Sequence, residues 1–540
     1  MGLRIFLLSL LLSICLLSLL LSQFALSLAE DVTITVKGVT SIARTDDNFV
    51  CATLDWWPTW KCNYNQCPWG KAGILNLVYH HHVPPFQSIY IYIYIINLYA
   101  FNPLRIRIGG SLQDQVLYKV GSAVKKCPKF TNSTKGLFGF SKVCLTMDRW
   151  DEINNFLGKT GAIITFGLNA LLGRKKLSDD GLYGGDWNSR NARDFIQYTV
   201  SKGYKIESYE FGNELSGGGI SARVEANQYG KDVIALKELL NDLYHNSTTQ
   251  PKILAPGGFY DEKWFATFLQ ASGPNVADGI THHIYNLGAG VDPNLISKIQ
   301  DPYFLDQIAQ TYKDLLKTIK SFGPWSSPWI GESGGAYNSG GKDVSHTFVD
   351  SFWYLDQLGM TSTFEHKVFC RQTLIGGNYG LLNTTTFVPN PDYYSALLWH
   401  RLMGKNVLST THSGSPYLRA YSHCSRKKPG ITLLLINMSN STSFNVLVVN
   451  DSNLNPKNSK SMEESQAQGR QQREEYHLTP KDGNIQSDVV LLNGSPLVLM
   501  ESSNIPPLNP TLADPSSPII VAPDSIIFAN LKNFKAPACA

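Results

Sequence analysis

The stretch Ile206-Glu207-Ser208-Tyr209-Glu210-Phe211-Gly212-Asn213-Glu214 decides how the rest of the chain is interpreted. It has the pattern of a short buried strand that ends at Gly212, with a carboxylate just beyond that end. A second strand of the same kind, Ser327-Pro328-Trp329-Ile330-Gly331-Glu332, also ends on a glutamate. In a barrel of parallel strands the carboxyl ends meet at one rim, so Glu214 and Glu332 are expected to lie together there.

Outward from these two strands, a unit of apolar strand, loop and amphipathic helix repeats along most of the chain. Eight such strands predict an α/β fold, a closed (β/α)₈ TIM barrel, over residues 46–404. An open doubly wound sheet is the alternative, but no Gly-x-Gly-x-x-Gly turn follows an early strand. The predicted strands are Phe49–Asp55, Pro103–Gly109, Ala162–Leu168, Ile206–Gly212, Lys252–Pro256, Gly279–Tyr285, Trp329–Gly331 and Thr363–Cys370; the predicted helices are Asp148–Lys159, Ala192–Lys202, Tyr229–Tyr244, Tyr303–Ser321, Ser345–Leu358 and Tyr393–Met403.

The pattern changes after residue 404, where strand-like runs recur without long helical patterns. Residues 405–540 are therefore predicted to form a C-terminal β-sandwich domain. The N-terminal segment 30–45, with the alternating run Val32–Val36, is predicted to contribute a strand to it. A polar stretch, 450–482, is predicted to be a mobile loop. The predicted strands are Tyr417–His423, Thr432–Asn437, Ser443–Val449, Ser487–Leu492, Leu497–Glu501 and Ile519–Val521.

Residues 78–99 form an atypical insertion where the first barrel helix is expected. Two prolines and an alternating Ile/Tyr run argue against a helix there. The three histidines at 80–82 could bind a metal, but adjacent side chains of an extended chain do not converge on one ion. No metal site is predicted.

Residues 1–29 have the pattern of a secretory signal peptide: a positive start, a long apolar run and small residues before the cleavage position. The expected location is extracellular, in the cell wall; the vacuole, or peripheral association with a membrane, is the alternative. No other segment has the length of apolar residues that a membrane span needs. A net charge of +4 over 540 residues gives no case for nucleic acid, and nothing indicates an oligomeric state.

Secretion agrees with two further patterns. Without Cys15, which falls in the signal, eight of the nine cysteines remain, an even number that permits disulfides whose connectivity the sequence leaves open. Six Asn-x-Ser/Thr sequences are candidate glycosylation sites: Asn132, Asn246, Asn383, Asn437, Asn440 and Asn450.

Two carboxylates at two strand ends of one barrel rim are the groups that glycosidic bond hydrolysis requires. A retaining mechanism needs one protonated carboxyl group to assist the leaving group, and one ionised group about 5–5.5 Å away to attack the sugar. Asn213, beside Glu214, could hydrogen-bond the adjacent sugar hydroxyl. The alternative is that either glutamate is a solvated surface residue, as most glutamates are.

Four motifs carry a resemblance to a known family: Phe101–Ser111, Tyr209–Gly219, Thr281–Tyr285 and Cys370–Tyr379. They resemble plant heparanase-like proteins of glycoside hydrolase family 79, over nearly the whole mature chain. The resemblance implies β-glucuronidase activity without metal or cofactor, with Glu214 as proton donor and Glu332 as nucleophile. It also implies a disulfide between Cys424 and Cys539. The insertion at 78–99 departs from the family pattern.

The same resemblance implies a site for the sugar carboxylate, formed by main-chain donors in glycine-rich turns. Asp55 and Ser111, at the ends of the first two strands, are candidate contacts to sugar hydroxyls, with ordinary turn chemistry as the alternative. Either His282 or His283 could line the cleft, or both could be packed. The other expected substrate contacts are Tyr337, Asn338, Ser339, Gly340, Gln372, Gly377 and Tyr379.

Three functions are therefore weighed. The first is a secreted retaining β-glucuronidase that acts on glucuronic-acid-containing polysaccharides, proteoglycans or small glucuronides. The second is a carbohydrate-binding cell-wall protein whose catalysis is impaired. The third is a barrel glycosidase for a neutral sugar.

Overall fold

The computed structural model describes residues 29–70, 72–75, 97–122, 124–451, 472–501 and 504–540. Eight parallel strands close into a barrel, in which the first strand pairs with the second and the eighth. These strands, referred to below by their order, are Val50–Asp55, Arg105–Gly109, Ile163–Leu168, Ser208–Phe211, Lys252–Gly258, Gly279–Ile284, Ser327–Ser333 and Phe369–Arg371. Eight strands are present as predicted, so the predicted barrel is confirmed. The predicted eighth strand, Thr363–Cys370, is wrong at its start, because Thr363 ends the helix Asp350–Thr363 and the strand begins at Phe369. Residues 1–28 of the expected signal and 78–96 of the insertion lie outside the described residues.

The helices around the barrel have the local signals that the sequence pattern requires. Met147–Thr160 begins at Thr146, whose side chain accepts a hydrogen bond from the Arg149 amide, and ends at Gly161 in a left-handed conformation. The helices are Met147–Thr160, Arg190–Ser201, Ala226–Leu243, Glu262–Ser272, Leu295–Ile299, Pro302–Asp306, Ala309–Phe322, Asp350–Thr363 and Pro391–Leu402.

Two of the predicted helices differ from the structure. The predicted Tyr303–Ser321 is two helices, because Asp301 caps a short helix that begins at Pro302, and a new helix begins at Ala309. The predicted Ser345–Leu358 lies five residues later, at Asp350–Thr363. Its burial on nearly all sides removes the amphipathic contrast that marks helix ends in sequence.

Eleven of the remaining strands form one sheet beside the barrel. The N-terminal strand Ala29–Arg44 pairs antiparallel with Met403–His412 and parallel with Ser443–Asn450, which confirms that it joins the β domain. One face of the sheet encloses its own core, which includes Ile34 and Leu433; the other packs on the barrel through residues such as Phe528. The other strands of this sheet are Leu418–Ser425, Ile431–Asn437, Arg473–Pro480, Val490–Leu492, Ser495–Pro496, Thr511–Ala513, Ile519–Val521 and Ser525–Leu531. Six short strands form three separate pairs: Val116–Lys119 with Val143–Thr146, Lys175–Lys176 with Tyr183–Gly184, and Gly288–Ala289 with Ala336–Tyr337.

The predicted mobile loop is wrong at its C-terminal end, because Arg473–Pro480 is a strand paired with Ser525–Leu531. Its charges suggested exposure, yet Glu474 and Glu475 are buried. Lysines pair with Glu474, while Arg473 and His477 pair with Glu475, so the charges are neutralised in place. Residues 452–471 lie outside the described residues, and the predicted strand Leu497–Glu501 carries no strand.

Four disulfides pair all eight cysteines of the part of the chain that the structure describes. The bridge between Cys424 and Cys539 is present, and Cys51–Cys370 joins the first and eighth barrel strands. The other two are Cys62–Cys67 and Cys127–Cys144. Among the helices described, none is both long and apolar enough to cross a bilayer.

Five of the six candidate glycosylation sites are exposed. Asn437 is wrong as a candidate, because its side chain is fully buried. Its amide nitrogen donates to the carbonyls of Thr442 and Ala522, which leaves no room for a sugar. The predicted strand Thr432–Asn437 is present as Ile431–Asn437, and the packing of this strand prevails over the short motif.

Candidate active site

Glu214 and Glu332 face each other at the barrel rim. Glu214 follows the fourth strand at a φ of 55°, and its amide donates to the Gly257 carbonyl at 2.6 Å. Glu332 lies within the seventh strand, Ser327–Ser333. One carboxylate oxygen of each lies within 4.8 Å of the other. An upper bound of 4.8 Å agrees with the ~5–5.5 Å between the carboxyl groups of retaining glycosidases and lies below the ~6.5–9.5 Å of inverting ones.

Glu214 lies in surroundings that favour its protonated form. Burial raises the pKa of its carboxyl group to about 7; the charge of Arg107 opposes the shift and that of Glu210 adds to it. Its Oε1 atom lies 2.9 Å from Nδ1 of His283. Glu214 can therefore hold a proton near neutral pH, as a general acid must.

Glu332 has the opposite surroundings. Its Oε2 accepts a hydrogen bond from Arg107 Nη1 at 2.8 Å, and its Oε1 accepts one from the Tyr285 hydroxyl at 2.6 Å. Both donors stabilise an ionised carboxylate, and the guanidinium does so with a full charge. Glu332 therefore has the environment of a nucleophile.

Arg107 connects the groups of the site. Its guanidinium donates to Glu210 at 2.6 Å, Glu332 at 2.8 Å and the Asn213 amide oxygen at 2.8 Å. Burial alone would lower its pKa, but the charges of Glu210 and Glu332 outweigh burial and raise it. Since Asn213 Oδ1 accepts from Arg107, the Asn213 amide nitrogen is left to donate to a sugar hydroxyl.

The two adjacent histidines have different roles. His283 lies in the site, and burial lowers its pKa to about 4, so the ring is neutral at neutral pH. Its Nε2 lies 3.5 Å from Arg107 Nη2, which can only donate, so we assign the ring proton to Nδ1. Nδ1 then donates to Glu214 Oε1, and the acidic proton of Glu214 resides on Oε2. His282 is packed outside this cluster, 2.8 Å from His366.

Asp55 and Gln372 form the opposite wall of the site. Gln372 Nε2 donates to Asp55 Oδ2 at 2.8 Å and lies 3.5 Å from the Tyr379 hydroxyl. Burial, followed by the charge of Glu332, raises the pKa of Asp55 to about 8. Asp55 Oδ1 is buried without a hydrogen-bond partner in the described chain, which suits a sugar hydroxyl. Ser111 is half-buried and makes no side-chain hydrogen bond to the described residues of this cluster.

The loop Asn338–Gly340 has the geometry of an anion site. Asn338, Ser339 and Gly340 have φ angles of 58°, 78° and 78°, and their amides meet no acceptor in the described chain. Consecutive free amides in such a turn form a concavity that suits a carboxylate. The preceding side chain, Tyr337, is exposed.

Gly377 does not fit the expected role of an amide donor. Its amide donates to the Pro68 carbonyl at 3.2 Å and is therefore occupied. At a φ of 71° a Cβ would lie 2.5 Å from the Tyr379 ring. Gly377 instead makes room for Tyr379, as does Gly340, whose Cβ would lie 2.9 Å from the same ring.

Glu214, His283 and Glu332 are close enough together to hold a metal ion. Arg107 already lies against Glu332 and His283, so a cation would meet a fixed positive charge. The cluster is better suited to a pair of carboxylates with different protonation states than to a metal.

Sequence reasoning missed four residues of the site: Arg107, Glu210, Tyr285 and Asp114. The first two interrupt buried strands with a charge, which is a usable signal, because a charge inside a barrel strand needs a partner. Asp114 accepts from the amides of Asn213 and Ala170 and so holds the loop that carries Glu214. Burial raises its pKa to about 7.

Comparison with known proteins agrees with this geometry. Residues 31–359 match the model of the glycosyl hydrolase family 79 N-terminal domain. Heparanase-like protein 1 of Arabidopsis thaliana is 53% identical over 524 residues, covering 94% of both chains. Baicalin-beta-D-glucuronidase of Scutellaria baicalensis is 41% identical over 518 residues, covering 93% of both.

Solved structures share the fold at low identity. A 4-O-alpha-L-rhamnosyl-beta-D-glucuronidase from Fusarium oxysporum 12S has a TM-score of 0.61 at 16% identity, over 92% of this chain and all of its own. A GH51 arabinofuranosidase from Xanthomonas axonopodis pv. citri has a TM-score of 0.63 at 12% identity, over 92% and 99%. The extent of the family match and of the relatives shows that this chain belongs to glycosyl hydrolase family 79 and is a heparanase-like glycoside hydrolase.

Proposed function

We propose that this glycoside hydrolase is a retaining β-glucuronidase. The observation that carries the proposal is the unequal pair at the rim: carboxylate oxygens of Glu214 and Glu332 within 4.8 Å, one in surroundings that favour protonation and one held by Arg107 and Tyr285. A double displacement requires an acid and a nucleophile, and the different environments of Glu214 and Glu332 suit these two roles.

In the first step, Glu332 attacks the anomeric carbon while the proton on Glu214 Oε2 moves to the glycosidic oxygen. The bond to the leaving group breaks, and a glycosyl ester forms on Glu332. In the second step, Glu214, now ionised, takes a proton from water, and the hydroxide attacks the anomeric carbon. Glu332 leaves as a carboxylate, and Glu214 is protonated again.

The acidic sugar is supported by two observations. The amides of Asn338, Ser339 and Gly340 meet no acceptor in the described chain, so three consecutive donors are available to a carboxylate. A relative that this chain matches over 93% of its length is named a baicalin-beta-D-glucuronidase. We propose β-linked glucuronic acid as the sugar that is released, from a glycan or from a small glucuronide.

The test compares 4-nitrophenyl β-glucuronide with the matching β-glucoside, which has the same leaving group. We expect kcat/KM to be about 10²-fold or more higher for the glucuronide, since a site built for a polar group rejects an analogue that lacks it. A glucoside preference would favour the neutral-sugar alternative, and binding without turnover would favour the carbohydrate-binding protein. NMR of the first-formed anomer tests retention: β-glucuronic acid supports it, and the α-anomer contradicts it.

We also propose that the protein acts outside the cytosol. Four disulfides in the described chain are typical of an oxidising compartment. The apolar N-terminal pattern points to the same route. Detection of the tagged protein in the wall or medium fraction of expressing cells would support secretion; retention in the cytosol would contradict it.

A further inference from the structure

A small hairpin beside the candidate active site makes contacts that the catalytic mechanism does not explain. Asn63 and Gln66 exchange both backbone hydrogen bonds, each at 2.8 Å, and the Cys62–Cys67 disulfide closes the hairpin one residue further out. Tyr64 and Asn65 at its tip have φ angles of 51° and 61°, as in a type I′ turn. A positive φ is unfavourable for tyrosine, because its side chain is bulky. Such backbone strain persists only where surrounding contacts hold the conformation.

Two side chains of this hairpin hold the loop Asn338–Gly340. The Tyr64 hydroxyl accepts a hydrogen bond from Asn338 Nδ2 at 2.8 Å. Asn63 Oδ1 accepts one from the Ser339 hydroxyl at 2.9 Å. Trp69, just after the hairpin, donates to the same Ser339 oxygen at 2.9 Å.

The same segment also holds the second glycine-rich turn. Gln66 Oε1 accepts from Asn378 Nδ2 at 3.3 Å, and the Pro68 carbonyl accepts from the Gly377 amide at 3.2 Å. Asn378 in turn donates from its amide to the Ser339 carbonyl at 2.6 Å. The hairpin therefore contacts both turns, and within the described chain none of its hydrogen bonds reaches Glu214 or Glu332.

Free amides bind an anion well only when they already point at one place, because ordering them at binding costs conformational entropy. Asn338, Ser339 and Gly340 are in the left-handed region, and the first two are not glycines, so the loop needs external support. The hairpin supplies this support through side chains, and its disulfide limits the freedom of the hairpin itself.

We propose that the disulfide-closed hairpin Cys62–Cys67 is the specificity element of this enzyme for acidic sugars. Asn63 and Tyr64 are positioning residues that keep the amides of Asn338–Gly340 aimed at the carboxylate of the substrate. The inference rests on the proposed function, because it assumes that these amides receive that carboxylate. It assigns to the hairpin a contribution to KM for glucuronides and none to the chemical step.

The experiment measures kcat and KM of the full-length protein on 4-nitrophenyl β-glucuronide and the matching β-glucoside. In the double variant Cys62→Ser/Cys67→Ser we expect kcat/KM for the glucuronide to fall about 10-fold, through KM. The glucoside value should change less than about 2-fold, because a neutral sugar does not use the anion site. Tyr64→Phe, which removes only the hydroxyl, should lower the glucuronide value about 5-fold, the equivalent of one ordinary hydrogen bond.

Two matched controls separate specificity from damage. Cys424→Ser/Cys539→Ser removes a disulfide of the β domain, and Tyr303→Phe removes an exposed hydroxyl; neither should change the glucuronide-to-glucoside ratio. A parallel fall on both substrates, or an unchanged ratio in both hairpin variants, would overturn the inference alone. A wild type that does not prefer the glucuronide would overturn the proposed function, and this inference with it.

Discussion

Two arginines of the barrel have similar chemistry and different functions. Arg107 lies on the second strand and Arg371 on the eighth, and both guanidinium groups are buried between two carboxylates. Arg107 pairs with Glu210 and Glu332, and Arg371 with Asp350 at 2.6 Å and Asp392 at 2.9 Å. A buried ion pair therefore does not by itself identify a catalytic site in this fold.

The difference lies in where the carboxylates come from. Asp350 and Asp392 lie in the first turns of two outer helices, and Trp353 and Tyr354 cover the Arg371 guanidinium, so this cluster attaches the helices to the barrel wall. The partners of Arg107 come from barrel strands, and Glu332 lies beside Glu214 at the rim. The Arg371 cluster can therefore contribute only to stability, whereas the Arg107 cluster lies at the strand ends, where substrate is proposed to bind.

The largest expected effect is the loss of Glu332, the proposed nucleophile. Glu332→Gln should lower kcat on an aryl β-glucuronide by about 10⁴-fold or more, because the amide cannot attack the anomeric carbon. The melting temperature should remain within a few degrees, since the change removes a charge and keeps the shape. Glu207→Gln, which alters a carboxylate paired with Arg105 away from Glu332, is the control. Residual activity within tenfold of the wild type would contradict the assigned role.

Next is the arginine of the site. Arg107→Met should lower kcat by about 10²–10³-fold, because Glu332 and Asn213 lose the donor that positions them. Steady-state kinetics below the melting temperature provides the measurement. An unchanged kcat would mean that Arg107, like Arg371, acts only in folding.

Arg371→Met should have the converse effect. Removing one partner of a buried pair leaves Asp350 and Asp392 without their cation, at a cost of about 3–5 kcal/mol in the free energy of unfolding. Activity of the folded fraction should stay within about threefold of the wild type. Chemical denaturation and kinetics of the same preparation measure both quantities; a large loss of kcat without loss of stability would remove the contrast between the two clusters.

The pH dependence sharpens the contrast between the two glutamates. Because burial raises the pKa of Glu214 to about 7, kcat/KM on substrates with poor leaving groups should fall about tenfold per pH unit above pH 7. An aryl glucuronide with a good leaving group depends less on protonation by Glu214, so its kcat/KM should decline less. In the variant Glu214→Gln the alkaline decline should disappear. An alkaline decline that persists in the variant would assign the titration to another group.

The smallest expected effect is on stability. The pKa of Glu214 is about 7 in the folded protein against an ordinary 4.5, so the folded state binds more protons between these values. The contribution of Glu214 to the free energy of unfolding therefore falls as the pH rises from about 4.5 to 7. Glu214→Gln should lose less stability than the wild type over that interval in thermal unfolding; identical slopes would contradict the raised pKa.

Much of the fold could be predicted because its signals are local. The spacing of hydrophobic residues predicts the eight apolar strands, their turns and most helices. The predicted bounds of the fourth strand differ from the observed ones by only one or two residues. Two of the predictions that were wrong involve contacts distant in sequence. The sequence predicts a polar loop over Arg473–Pro480, but Lys428 and Lys532 neutralise Glu474 and allow a strand there. The sequence also predicts glycosylation at Asn437, but the sheet buries this side chain.

The sequence by itself determined which residues are candidates for the chemistry and which strands carry them. Glu214 and Glu332 could be identified because each lies at the end of a predicted strand. Only the tertiary structure decided which partners set their protonation, because Arg107, His283 and Tyr285 come from other strands and meet the glutamates once the barrel closes. Likewise, only the folded chain brings the Cys62–Cys67 hairpin against Asn338 and Ser339. The desolvation of a carboxyl group and the direction of its hydrogen bonds depend on where the group lies in space. The spacing of residues along the chain does not specify that position.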